Sequence, residues 1–159
     1  MSLAAIRLIG FILGIFLITL AVSMAIPMFT LVVHERSDDL SAFLWSSLIT
    51  FICGLLLIVR GRPETGNLRP RDMYLLTTAS WVVVCAFAAL PMVFISDISY
   101  TDAFFETMSG ITTTGSTVLT GLDSASPGLL IWRSMLHWLG GIGFIGMAVA
   151  ILPLLRVGG

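Results

Sequence analysis

Thr112-Thr113-Thr114-Gly115-Ser116-Thr117 places five hydroxyl side chains and one glycine in six consecutive positions, with no acid, base or thiol among them. What such a run offers chemically is oxygen: the hydroxyls and, where the backbone is extended, a row of carbonyls able to replace the water shell of a cation. Gly115 suits that use, because it can take backbone angles that turn successive carbonyls to one side and adds no side chain to block a path. A nucleophilic alternative would combine Ser109, Ser116 or Ser134 with His137 and Asp102 as an intramembrane serine protease. No Gly-x-Ser-x-Gly elbow surrounds any of those serines, so nucleophile and base lack motif support. Cys53 and Cys85 both lie inside apolar runs and read as core or lipid-facing residues, not as a disulfide framework or a metal knuckle.

The element that must position the hydroxyl run is the stretch before it. Ser99 or Thr101 can cap a helix, Asp102 suits its positive N-terminal end, and Phe104, Phe105, Met108 and Ile111 recur at helical spacing as one apolar face. A helix over 101–111 would be only about 16 Å long, against a hydrocarbon core of about 30 Å. A short helix followed by an extended return is what a re-entrant pore loop needs, and non-helical backbone survives at that depth only beside a wet cavity or inside protein. The same stretch also reads as an outer loop with a surface helix and a turn. Composition and spacing do not separate the two.

The rest of the chain supplies membrane-spanning elements. Of its 159 residues, 57% are hydrophobic and 11% charged, which excludes a soluble domain with a solvated surface. The charged set is eight arginines, no lysine and nine acids, for a net charge of -1, and this leaves no basic face for nucleic acid. Apolar runs of spanning length cover Leu8–Val33, Leu40–Val59, Tyr74–Ile95 and Leu129–Leu155, with a kink expected at Pro27 and bending allowed by Gly140, Gly141, Gly143 and Gly146. No small-residue cleavage site follows the first run, which is therefore a retained helix.

Threading four spans puts Arg7, Arg60, Arg62, Arg69, Arg71 and Arg156 on one side, with Glu64 and Asp72. The other side receives Arg36 and Arg133 against Glu35, Asp38, Asp39, Asp97, Asp102, Glu106 and Asp123. Arginine is retained on the cytoplasmic side, so both termini are expected there and the acidic side faces out, where it attracts cations or is simply a solvated loop. Arg60, Arg62, Arg69 and Arg71 anchor the cytoplasmic loop. His137, beside Trp138 in the fourth run, reads as a neutral histidine bonded to a neighbouring helix, with a transport role as the rival.

A long stretch, Phe105-Glu-Thr-Met-Ser-Gly-Ile-Thr-Thr-Thr-Gly-Ser-Thr-Val-Leu-Thr-Gly-Leu-Asp123, then Trp132-Arg133, Leu136-His-Trp-Leu-Gly-Gly-Ile-Gly-Phe144 and Ala148-Val-Ala-Ile-Leu-Pro-Leu-Leu155, closely resembles the Trk/Ktr/plant high-affinity potassium transporter superfamily. The resemblance implies an all-α membrane protein: a two-helix hairpin over 1–60, an Arg-rich cytoplasmic loop over 61–73, and one helix, re-entrant pore loop, helix repeat over 74–159. Within that repeat the pore helix is expected at about 101–111 and the filter at 112–117. It implies potassium uptake across a bacterial inner membrane, with no cofactor and potassium as the transported ion. The filter glycine maps to Gly115, the potassium-coordinating carbonyls to Thr113 and Thr114, and Ser116 adjoins them. Plant relatives with serine at the glycine position tend to pass sodium, so glycine favours potassium.

A filter closes with four such loops and this chain has one. The other three are expected from a longer protein of which the sequence is a piece, or from further copies of the chain. A non-conducting small membrane interaction protein is the remaining alternative. The resemblance further implies a homodimer of the full protein and a cytosolic nucleotide-binding regulatory subunit, whose contact is not placed on the loop arginines.

Overall fold

The computed structural model describes residues 3–35, 37–61, 70–96 and 98–151. Seven α-helices follow one another among them: α1 Leu3–Ser23, α2 Ala25–Val33, α3 Ser37–Arg60, α4 Pro70–Ala88, α5 Leu90–Ile95, α6 Tyr100–Ile111 and α7 Pro127–Ile151, with a 3-10 turn at Leu122–Ser124. Among the described residues there is no strand, as expected for an all-α membrane fold in which each backbone polar group is satisfied within its own segment. Three stretches are long and apolar enough to cross a membrane: Leu3–Val33, Asp39–Arg60 and Arg71–Ile95. The fourth expected run is helical through Ile151, and its last residues lie outside the described set.

Pro27 and Pro91 each interrupt their spanning run, and both do so upstream of the ring. Pro27 has no N–H for the Ser23 carbonyl and its ring crowds that carbonyl, so the break falls at Met24, a turn before the expected kink at Pro27 itself. Pro91 likewise separates α4 from α5 at Ala89. Helices α3 and α4 begin earlier than the apolar runs predicted, at Ser37 rather than Leu40 and at Pro70 rather than Tyr74. Polar first turns are where helices ordinarily start, and proline is tolerated there because its absent N–H would have no partner.

Helix α1 lies along α3 as a tight hairpin, with α4 against α1 and α2 against both α3 and α7. Its closeness depends on facing glycines: a Cβ on Gly14 would sit 2.7 Å from the Gly54 carbonyl oxygen. The Ser47 hydroxyl adds an interhelical bond to the Ala21 carbonyl at 3.1 Å. The shared core gathers Leu17, Leu20, Met24, Phe43, Met92 and Trp132. Cys85 is in that core and Cys53 packs against it, both as free thiols. Arg36, Arg62, Glu64, Arg69, Asp97 and Arg156, which enter the sidedness argument, lie outside the described residues, as does most of the 61–73 loop.

Candidate functional site

Helix α6 starts where the sequence places its cap: the Ser99 hydroxyl accepts from the Asp102 N–H at 3.1 Å and donates to the Asp102 carboxylate at 2.7 Å. Of the expected apolar face, Ile111 lies in the core and Phe104 and Met108 pack against it, but the buried set is wider and leaves Phe105 out. Ala103, Glu106, Thr107, Ser109, Gly110 and Ile111 are buried, whereas Phe105 is 45% exposed. The apolar periodicity is incomplete because polar and small residues also hold the helix. Thr107 donates to the Cys85 carbonyl at 3.1 Å and Tyr100 to the Ala86 carbonyl at 3.0 Å, while the Trp132 indole donates to the Ala88 carbonyl at 3.0 Å. Side chains from α6 and α7 thus bond carbonyls at the end of α4, beside the proline break. On the opposite flank Gly110 rests on Leu136, and Gly140 lets α7 approach the Ile111 carbonyl so closely that no Cβ fits between them.

After Ile111 the chain turns and runs back extended. Thr113 and Gly115 have φ of 57° and 79°, the first a rare conformation for a β-branched residue and the second one that glycine takes freely. The Ser109 carbonyl accepts from the N–H groups of Thr114 at 3.0 Å and Gly115 at 3.5 Å, and the Ser109 hydroxyl donates to the Ser116 carbonyl at 2.7 Å. Thr112 bonds Thr114 hydroxyl to hydroxyl at 2.8 Å and donates to the Met108 carbonyl at 2.8 Å. The carbonyls of Thr112, Thr113, Thr114 and Gly115 accept no hydrogen bond among the described residues, and residues 112–118 are exposed. A row of unbonded oxygens thus follows the partially negative C-terminal end of α6. Thr113, Thr114, Gly115 and Ser116 therefore lie in succession on one short, exposed and extended segment.

Sequence reasoning missed Glu106 and Arg133, which it counted among the outward-facing charges. Glu106 is only 3% exposed. Its Oε1 pairs with Arg133 Nη2 at 2.5 Å, and its Oε2 accepts from the Thr117 hydroxyl and the Val118 N–H, both at 3.0 Å. The available signal was an acid in the middle of a short helix, beyond the N-terminal turn that Asp102 occupies, and a lone arginine in a spanning run, since each such charge needs a partner in that setting.

His137 corrects a second expectation. Its Nδ1 pairs with the Arg133 carbonyl at 2.9 Å on its own helix, not on a neighbouring one, although the ring does lie against Gly110 of α6. The groups imagined as a protease centre are each engaged locally. Ser134 bonds the Leu130 carbonyl, Asp102 bonds Ser99 and Ser109 bonds Ser116.

In a family comparison the TrkH model, described as a cation transport protein, matches residues 39–159. The chain belongs to the TrkH family. Its relatives include the Trk system potassium uptake protein TrkI of Halomonas elongata, 44% identical over 93% of this chain and 30% of that protein. TrkH of Escherichia coli is 40% identical over 96% of this chain and 32% of its own length. Among solved structures, the potassium transporter TrkH from Vibrio parahaemolyticus superposes with a TM-score of 0.89 at 35% identity, covering 100% of this chain and 34% of that one. The chain thus spans about a third of the length of these relatives. Membership in the TrkH family, with three stretches apolar enough to cross a membrane, supports an inner-membrane protein.

Proposed function

We propose that this chain supplies one quadrant of a potassium-selective filter, with the Thr113 and Thr114 carbonyls coordinating the ion and Gly115 and Ser116 completing the strand. The observation that carries the reading is the row of carbonyls from Thr112 to Gly115 that no described group occupies, at the C-terminal end of a helix too short to cross a bilayer. Backbone oxygens left unbonded at membrane depth are costly unless a cation or water takes them. The relatives' names supply the ion: they are potassium uptake proteins. Potassium would shed its water, pass between carbonyls and move inward with the membrane potential, worth about 2.3 kcal/mol per 100 mV. No cofactor is needed for this.

Four spans, with both termini in the cytoplasm, bring the loop in from outside. Three further quadrants come from the rest of a longer protein or from further copies, and the complete transporter is read as a homodimer served by a nucleotide-binding cytosolic subunit. The test replaces the matching stretch of the Escherichia coli relative with residues 1–159 and follows rubidium uptake in cells without other potassium uptake. Gly115→Asp is expected to abolish uptake while the protein stays in the membrane. Normal uptake by that variant overturns the reading.

A further inference from the structure

We infer that the buried Glu106–Arg133 pair is a positioning device for the filter, fixing the strand that leaves it and through that strand the spacing of the ion-binding carbonyls. The inference rests on the filter reading above. An ion pair that served only to join α6 to α7 would need one carboxylate oxygen. Here Oε1 meets Arg133, and Oε2 is given over to the Thr117 hydroxyl and the Val118 N–H, the two residues immediately after Ser116. Three residues earlier on α6 from Ser109, Glu106 lies on the same face, since positions i and i+3 are neighbours on a helix. Ser109 takes the chain at Thr114, Gly115 and Ser116, and Glu106 takes it at Thr117 and Val118. The segment is therefore tied to one helix at two successive heights, through Thr114 to Ser116 and through Thr117 and Val118, while the carbonyls of Thr112, Thr113, Thr114 and Gly115 accept no hydrogen bond among the described residues.

Charge matters as well as bonding. A carboxylate this buried would be strongly destabilising without a partner, and here Arg133 faces one oxygen while the other accepts from Thr117 and Val118. The Thr117 hydroxyl also accepts from the Leu119 N–H at 3.1 Å, which carries the fixation one residue further. Loosening this tie lets the carbonyl ring relax toward a smaller or better hydrated ion. The readout is accordingly selectivity and not only the amount of transport.

The test uses the same hybrid transporter, with rubidium and sodium uptake measured side by side and the protein in the membrane quantified. Glu106→Gln is expected to lower the rubidium-to-sodium ratio several-fold. Thr117→Val removes one bond and no charge, and is expected to shift the ratio in the same direction by less. Arg133→Lys, which keeps the charge, is expected to retain most of the ratio. Unchanged ratios in both Glu106→Gln and Thr117→Val overturn the inference. If Glu106→Gln does not accumulate in the membrane, Thr117→Val decides alone: a lowered ratio supports the positioning role and an unchanged one overturns it. Gly115→Asp separates this from the reading beneath it. Uptake abolished there, with ratios unmoved in the other two, leaves the filter standing and removes only the brace.

Discussion

Thr113 and Gly115 share the left-handed region of backbone space, with φ of 57° and 79°, yet they pay for it unequally. A β-branched residue there is strained by about 1–2 kcal/mol, whereas glycine is at ease. A Cβ on Gly115 would meet nothing within 4 Å, so the position is spacious and its demand is on the backbone. Gly115→Ala is therefore expected to weaken rubidium uptake without abolishing it, by a backbone cost of about 1 kcal/mol, whereas Gly115→Asp abolishes it. Equal loss in the two variants would mean that the backbone angle alone is limiting and that the size and charge of the added side chain are not. Ser109→Ala frees the Ser116 carbonyl and is expected to lower stability in detergent by about 1 kcal/mol, read as a fall in the thermal unfolding midpoint. Gly115 was legible from sequence because few residue types tolerate its conformation. Thr113 was not, since nothing in a run of three threonines marks the one that turns. Glu106 was hidden for a different reason: an acid's partner is a tertiary fact, and counted along the chain it looks like any outer-loop carboxylate.

Helices were legible to within a few residues because a bilayer demands about 20 apolar residues per span, and the four runs met that demand. What periodicity could not supply was the polar part of the packed face of α6: Phe104, Met108 and Ile111 pack in or against the core, but Thr107, Ser109, Gly110 and Glu106 are buried with them and Phe105 is not. Lipid is as apolar as phenylalanine, so a membrane helix gains little by turning its aromatics inward and gains more from close backbone contact and hydrogen bonds. The α1–α3 hairpin follows the same rule. A Cβ on Gly14 would lie 2.7 Å from both the Gly54 carbonyl oxygen and Ile58 Cγ1, whereas one on Gly10 would meet nothing within 4 Å. Gly14→Ala is expected to force the helices apart and destabilise the chain by about 1–3 kcal/mol, the cost typical of overpacking. Gly10→Ala, on the same helix, is expected to leave stability unchanged or raise it by up to about 1 kcal/mol through helix propensity alone. Thermal unfolding of the two variants in one detergent checks the pair, and a similar loss in both would show that propensity, not contact, governs α1.

For the molecule as a whole, the charge distribution and the direction of the pore loop are a single question. Exposed apolar side chains such as Phe29, Trp45 and Trp138 clothe the spans, so the chain has a surface for lipid or for further protein and leaves the arginines to set its sidedness. Burial of Glu106 against Arg133 removes one acid and one arginine from the outer tally and leaves the sign of the asymmetry unchanged, because both go together. The loop that carries Thr112–Thr117 joins α6 to α7, on the side opposite Arg60 and Arg71 if α4 with α5 makes one crossing. Alkaline phosphatase fused after Glu35 or after Ser124 is expected to be active, since that enzyme matures only outside the cytoplasm, and inactive when fused after Asp72. Reversing Arg60, Arg62, Arg69 and Arg71 to glutamate is expected to raise activity at the Asp72 fusion, because the retained side has then lost its positive charge. The opposite pattern in the unaltered chain, active after Asp72 and silent after Ser124, would bring the carbonyl row in from the cytoplasm, where an uptake filter that receives its ion from outside could not stand.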